Sequence, residues 1–432
     1  MGSSPTVTRR RAAALTRFAA AAALLVFGAG CGGASSSSGG GSGGAGPAGS
    51  GGQPASSAAP NTVPVTVDTG PPGVDYVNGL FVTLTLCVPG TTNCQTFDHV
   101  LVDTGSIGVR VLASAVTLPL PALTNASNQQ LVECIPFVEG TAWGPLGIAD
   151  VKMGGESAAN LPIQLIGDQT YAVPSSCTGS PVTDLQSLSA NGILGVGIFP
   201  QDCGDACAQP AASRTNPGLY YACTSPQSCA VTSVPVAQQV GHPVAAFPID
   251  NNGSIIKLPS IGGSGAPVVA GTLTFGIGTQ SNNGLGSAAV LPLDAMGFVS
   301  TTFPVGGTTY TSYLDSGSNG LYFLNSQLAN LPLCAGDLDV FYCPTATATL
   351  GAVLSVSNGP SATIPFTVGN AGTLRAADSA FSDLGGPMPG FPSDPRVPGF
   401  DWGLPFFFGR SVYTAIDGGG SPAGPVGPYF AF

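Results

Sequence analysis

Asp103-Thr-Gly-Ser-Ile-Gly-Val-Arg-Val-Leu-Ala-Ser114 aligns without a gap to Asp315-Ser-Gly-Ser-Asn-Gly-Leu-Tyr-Phe-Leu-Asn-Ser326. Six of the twelve positions are identical: Asp103/Asp315, Gly105/Gly317, Ser106/Ser318, Gly108/Gly320, Leu112/Leu324 and Ser114/Ser326. Each copy follows an apolar strand end, Val100-Leu101-Val102 in one case and Tyr313-Leu314 in the other. Two such copies within one chain imply a duplicated fold. A pseudo-two-fold axis between the halves can then bring both carboxylates together.

That meeting has a chemical use. Two carboxyl groups in contact cannot both ionise, so they share a proton and titrate as a pair. The ionised member can deprotonate a water while the protonated member polarises a carbonyl. Gly105 and Gly317 let the backbone approach and donate N–H bonds to a carboxylate, and Ser106 and Ser318 each offer a hydroxyl to orient it. Thr104 and Ser316 complete the two supporting loops. Asp68-Thr69-Gly70 carries the same first three residue types but runs into Pro71-Pro72 and lacks the Ser-x-Gly continuation, so it reads as a turn.

The rest of the composition suits an all-β body. Only 8% of the residues are charged, while 63 Gly and 39 Pro break the apolar residues into short Val/Thr/Leu runs, a pattern of many strands and few helices. Four of the eleven basic residues, Arg9, Arg10, Arg11 and Arg17, lie at the N-terminus, which leaves seven against 22 acids in the remainder. Such a surface repels phosphate backbones and excludes nucleic acid as a partner.

Those arginines precede an apolar run, Phe18 to Phe27, and then small residues before Cys31, the order of an export signal. Gly28-Ala29-Gly30-Cys31 resembles a bacterial lipobox, although Gly28 stands where Leu is usual. Residues 1–30 are therefore expected to be a lipoprotein signal peptide and Cys31 the lipidated residue. Residues 31–65, rich in Ser, Gly, Ala and Pro, are expected to form a flexible tether. The expected location is the bacterial envelope, lipid-anchored, with plain secretion as the alternative.

Removing Cys31 leaves ten cysteines, an even number that fits an oxidising compartment. Spacing suggests Cys87 with Cys94 across a Pro-Gly turn and Cys334 with Cys343. Cys203, Cys207, Cys223 and Cys229 form a cluster that lacks paired C-x-x-C zinc ligands. Cys134 with Cys177 follows by elimination.

At this point the chain resembles the pepsin-like aspartic proteases, from about residue 75 to the end, in a bacterial lipoprotein group. Leu80 to Leu86, the Cys87 to Cys94 turn and Phe97 to Asp103 are similar to the hairpin that delivers the family's first catalytic Asp. Phe137 to Gly155 is similar to its flap. Gly192-Ile-Leu-Gly-Val-Gly197 resembles the segment closing the psi-shaped loop, and Gly271-Thr-Leu-Thr-Phe-Gly276 the end of the first lobe. Ala289 to Ser318 resembles the run into the second Asp, and Trp402 to Asp417 the closing segment of the second lobe.

The resemblance implies a two-lobed all-β fold with pseudo-two-fold symmetry, a first lobe at 66–280 and a second at 281–432. It implies Asp103 and Asp315 as catalytic residues, and flap or substrate contacts from Arg110, Glu139, Gly140, Thr141 and Trp143. The sequence departs from the family in three places. Glu139 stands for the flap Tyr, Arg110 for the Trp that braces it, and Pro405-Phe406 for the Gly-Asp of the closing segment. Arg110 and Glu139, changed together, are expected to form an ion pair beside the dyad, with Arg110 lowering the Asp103 pKa. Trp143 is equally compatible with plain packing.

Two functions follow as expectations. The first is an exported aspartic endopeptidase acting on peptide or unfolded protein. The second is a non-catalytic envelope lipoprotein that binds peptide or glycan in the interlobe cleft. A monomer is expected, membrane-bound through its lipid, with no metal and no organic cofactor. His99 and His242, the only histidines, read as loop or strand-edge residues, and there is no G-x-S-x-G elbow or Walker loop.

Overall fold

The computed structural model describes residues 59–432, apart from 139, 357–358, 395–396 and 421–423. The expected signal peptide, Cys31 and most of the expected tether lie outside the described residues, as does Glu139. The body is all-β, with helices reduced to single turns such as Leu185–Leu188 and Ser326–Ala329.

The first strand, Thr62–Asp68, begins inside the segment assigned to the tether, which corrects that boundary. Its Val63, Val65 and Val67 alternate inward and are buried, the period-2 pattern of a half-buried strand. It pairs with Gly79–Cys87 on one side and Val269–Phe275 on the other. The Asp68-Thr69-Gly70 segment is the turn expected of it: Gly70 N–H donates to Asp68 Oδ1 at 2.8 Å.

Two sheets organise the chain, one of sixteen strands and one of seven. Within the larger sheet, Gly192–Val196 is inserted between Cys94–Asp103, to which it is parallel, and Ile107–Leu112, to which it is antiparallel. The smaller sheet repeats this unit: Phe400–Trp402 lies between Thr308–Leu314, parallel, and Leu321–Phe323, antiparallel. Each catalytic-type loop thus leaves one strand, turns, and re-enters beside the same inserted strand. This repeated unit is the pseudo-symmetry of the two-lobed fold.

The expected division at 280/281 falls within a sheet that both halves build. Gly253–Lys257 pairs with Ser411–Ala415, which pairs with Tyr429–Ala431, which in turn pairs with Val290–Pro292. Beneath the second lobe an aromatic cluster packs Phe323 against Phe400 and Phe400 against Trp402, both pairs stacked, with Phe366 edge-on to Trp402. Such ring pairs add about 0.5–1.5 kcal/mol each beyond burial. They clamp the strand that carries residues 400–402.

Five disulfides join Cys87–Cys94, Cys134–Cys177, Cys203–Cys207, Cys223–Cys229 and Cys334–Cys343. The four-cysteine cluster therefore divides into two short loops.

Candidate active site

Asp103 ends the Cys94–Asp103 strand, and Asp315 follows Thr308–Leu314 directly. Both are 0% exposed, and their carboxyl groups are hydrogen-bonded to each other. The two settings match atom for atom. Gly105 N–H donates to Asp103 Oδ1 at 2.7 Å, as Gly317 N–H does to Asp315 Oδ1 at 2.8 Å. Ser106 Oγ donates to Asp103 Oδ2 at 2.5 Å, and Ser318 Oγ lies 2.8 Å from Asp315 Oδ2. A Cβ at Gly317 would come within 2.7 Å of the Asp103 carboxyl carbon, so the glycine is needed for the two acids to meet.

Thr104 and Ser316 fasten the loops to each other. Thr104 N–H donates to Ser316 Oγ at 3.1 Å and Ser316 N–H to Thr104 Oγ1 at 2.9 Å. Each hydroxyl then donates to the opposite lobe, Thr104 to Leu314 O at 3.1 Å and Ser316 to Val102 O at 2.8 Å. Four buried bonds, two in each direction, fix the separation of the carboxyls.

Burial raises the Asp103 pKa, against the hydrogen bonds from Asp315, Ser106 and Gly105 and a small pull from the Arg110 charge. Asp315 is raised well above the usual carboxylate range by burial first and then by the neighbouring carboxyl groups, Asp103 ahead of Asp401. Both directions favour a dyad that keeps a proton.

Beside the Thr104-Gly105-Ser106 loop is a cavity of about 120 Å³. Ile107, Ile135 and Phe199 line it from the first lobe, and Met296, Phe298 and Tyr313 from the second. It is an apolar hollow with a polar floor.

Arg110 and Asp202 also reach this hollow. The Arg110 guanidinium donates to Glu133 Oε1 at 2.9 Å and Asp202 Oδ2 at 2.8 Å, to Gln164 Oε1 at 3.1 Å and to Ile107 O. Tyr220 donates to Asp202 Oδ1 at 2.6 Å and receives Val240 N–H at 2.8 Å. Arg110 thus replaces a bracing aromatic with a buried polar network, and its carboxylate partners are Glu133 and Asp202. The expected effect on Asp103 has the expected direction but is the smallest of its causes.

The flap residues Gly140, Thr141 and Trp143 find partners within their own segment and its neighbours. The Gly140 amide closes a tight turn with Phe137, and Thr141 Oγ1 donates to Thr178 O at 2.6 Å. Trp143 is buried, donates to Tyr171 O at 2.9 Å and meets Tyr221 edge-on. These contacts fit the packing alternative given for it. The hairpin is held within a sheet, because Tyr220–Ser225 pairs along Gln130–Pro136 and the Cys134–Cys177 disulfide ties it to the next loop.

The closing segment needs a second correction. Val109 opposes Leu194 and Leu321 opposes Trp402, six residues after Asp103 and Asp315 respectively. Trp402 therefore occupies the place of Leu194, and Gly403, not residue 405, occupies that of Gly195. A Cβ at Gly403 would lie 2.0 Å from Gly320 O, so this glycine is obligatory. The same register puts Asp401 where the first lobe has Ile193. Asp401 is 1% exposed, and its Oδ2 lies 2.6 Å from Ser318 Oγ. Sequence reading missed it, although a lone acid between Phe400 and Trp402 is itself a signal.

Among solved structures, the chain is similar to an aspartic proteinase from Irpex lacteus, with 14% sequence identity over 86% of this chain and 96% of that one, and a TM-score of 0.49. No curated protein matches the sequence. The family model described as "Protein of unknown function (DUF3443)" matches residues 57–432, and the chain belongs to that family.

Proposed function

We propose that the protein is an exported aspartic endopeptidase in which Asp103 and Asp315 activate one water for attack on a peptide carbonyl. The observation that supports this reading is the pair of superposable loops whose carboxyls touch, each braced by its own glycine N–H and serine. A carboxyl pair sharing one proton supplies base and acid in the same place. Substrate would lie extended in the interlobe cleft, bound by strand-like hydrogen bonds, with an apolar side chain in the hollow beside Ser106. Five disulfides fit an oxidising compartment outside the cytoplasm. Among the described residues no helix is long and apolar enough to cross a membrane. Attachment is assigned to lipid on Cys31, and the working unit to a monomer.

One observation favours the second reading, a non-catalytic lipoprotein that binds peptide or glycan in the cleft: both carboxyls are wholly buried. Hydrolysis requires this floor to open to substrate and water. Digestion of a broad peptide library by the processed protein at acid pH tests the choice. Cleavage that Asp315→Asn lowers by about 10²-fold or more, and that a pepstatin-type transition-state mimic blocks, is the expected result. A folded protein that binds peptides from the library without cutting any establishes the second reading.

A further inference from the structure

Ser318 Oγ lies 2.8 Å from Asp315 Oδ2 and 2.6 Å from Asp401 Oδ2. A hydroxyl has one proton to give. It cannot donate to two carboxylates at once, so one of the two contacts runs the other way, from a carboxylic acid O–H into Ser318 Oγ. The first lobe has no such problem. Ser106 faces Asp103 alone, and the position matching Asp401 is the hydrocarbon side chain of Ile193.

We infer that Asp401 is a permanently protonated third carboxyl, which donates to Ser318 and thereby commits the serine hydroxyl to Asp315. Three features place the proton on Asp401 rather than on the far side of Ser318. Asp315 has the Gly317 N–H aimed at its Oδ1, a fixed donor that suits the charged form whichever way Ser318 turns. Asp401 lies on a strand between Phe400 and Trp402 in the aromatic cluster, and no ion pair to it forms among the described residues. The titratable groups facing it are Tyr313 and Asp315 from the adjoining strand and loop, Tyr322 from the opposite strand, and Asp103 across the lobes. None of them is a cation; the Asp103 charge opposes a negative charge at Asp401, and hydrogen bonds with Ser318 and the Tyr313 phenol offset only part of the cost of burial. The direction of its pKa agrees: burial holds it well above the carboxylate range.

The consequence is an asymmetric dyad. A chain of donors, Asp401 to Ser318 to Asp315, polarises each link in turn and favours charge on Asp315. Asp401 acts through Ser318 and is a positioning residue. Its role in turnover rests on the hydrolase reading; its protonation does not.

Two measurements separate these. Infrared difference spectra of protein labelled with ¹³C at the aspartate carboxyls, wild type against Asp401→Asn at neutral pH, should show the loss of a protonated-acid carbonyl band. Loss of an ionised carboxylate band instead overturns the inference, whatever the activity. In kcat/KM against pH, Asn at 401 keeps a donor toward Ser318 without charge, so the alkaline limb should stay in place. Asp401→Ala, which leaves Ser318 free to turn, should move that limb by about one pH unit or more. A comparable shift in Asp401→Asn would mean that a charge had been removed and would overturn the inference. Absence of cleavage in the wild type would defeat the hydrolase reading and leave the infrared result to decide Asp401.

Discussion

Thr104 and Ser316 each donate a backbone N–H to the other's side-chain oxygen, 2.9 and 3.1 Å apart, across the two lobes. The clasp couples the lobes at the level of the dyad.

Thr104→Ala removes the acceptor of the Ser316 N–H and the donor to Leu314 O, both buried. An unsatisfied buried group costs about 1–3 kcal/mol, so the unfolding free energy from denaturant titration should fall by that much. Thr104→Ser keeps the hydroxyl and should recover most of the loss. Equal destabilisation by Ala and Ser would mean that the methyl group, and not the clasp, is what matters.

The acid side of the pH scale should be the stable side. Asp103, Asp315, Asp401 and Asp202 all have raised pKa values, burial being the first cause in each. The native state therefore binds protons more tightly than the unfolded chain, and stability declines as pH rises from the ordinary carboxylate range through the raised values. Buried His242 works oppositely. Its pKa is lowered to about 4 by burial, so it costs stability as pH falls below the usual imidazole value. Four acids outweigh one imidazole, and melting temperatures should fall as pH rises above the ordinary carboxylate range. Asp315→Asn should flatten that decline; a midpoint that climbs over the same interval contradicts the assignment.

Arg110 should be among the least replaceable residues outside the dyad. It is 1% exposed and balances Glu133 and Asp202. Arg110→Met leaves two buried acids without a cation, and breaking a buried pair on one side costs about 3–5 kcal/mol. A triple change of Arg110→Met, Glu133→Gln and Asp202→Asn should recover part of that loss. Chemical denaturation of the single and triple variants measures it; equal stabilities would show that the charges are not coupled.

Cys31→Ala should release the protein from the membrane fraction of its host, since one thioether-linked lipid site is assigned to it. Unchanged fractionation would remove the lipobox reading. The melting temperature of the body should be unaffected.

The duplicated Asp-x-Gly-Ser-x-Gly hexapeptide was enough to identify the two halves and their carboxyls, because a tight turn presenting a carboxylate to its own backbone is a local device, written in consecutive residues. Valine alternation at 63, 65 and 67 is equally local and marks the first strand. Other features depend on residues distant in sequence. Arg110 finds Glu133 and Asp202 only because three separate segments converge, and no spacing along the chain records that. In the closing segment, Trp-Gly-Leu-Pro is compatible with two registers that differ by two residues. Strand pairing admits one, since only Gly403 fits against Gly320 O. With that register settled, Asp401 came to lie against Ser318. The sequence determined that two acids would meet; tertiary packing alone decided that a third would stand behind one of them, because a strand's register, unlike a turn, is set by the partner it lies against.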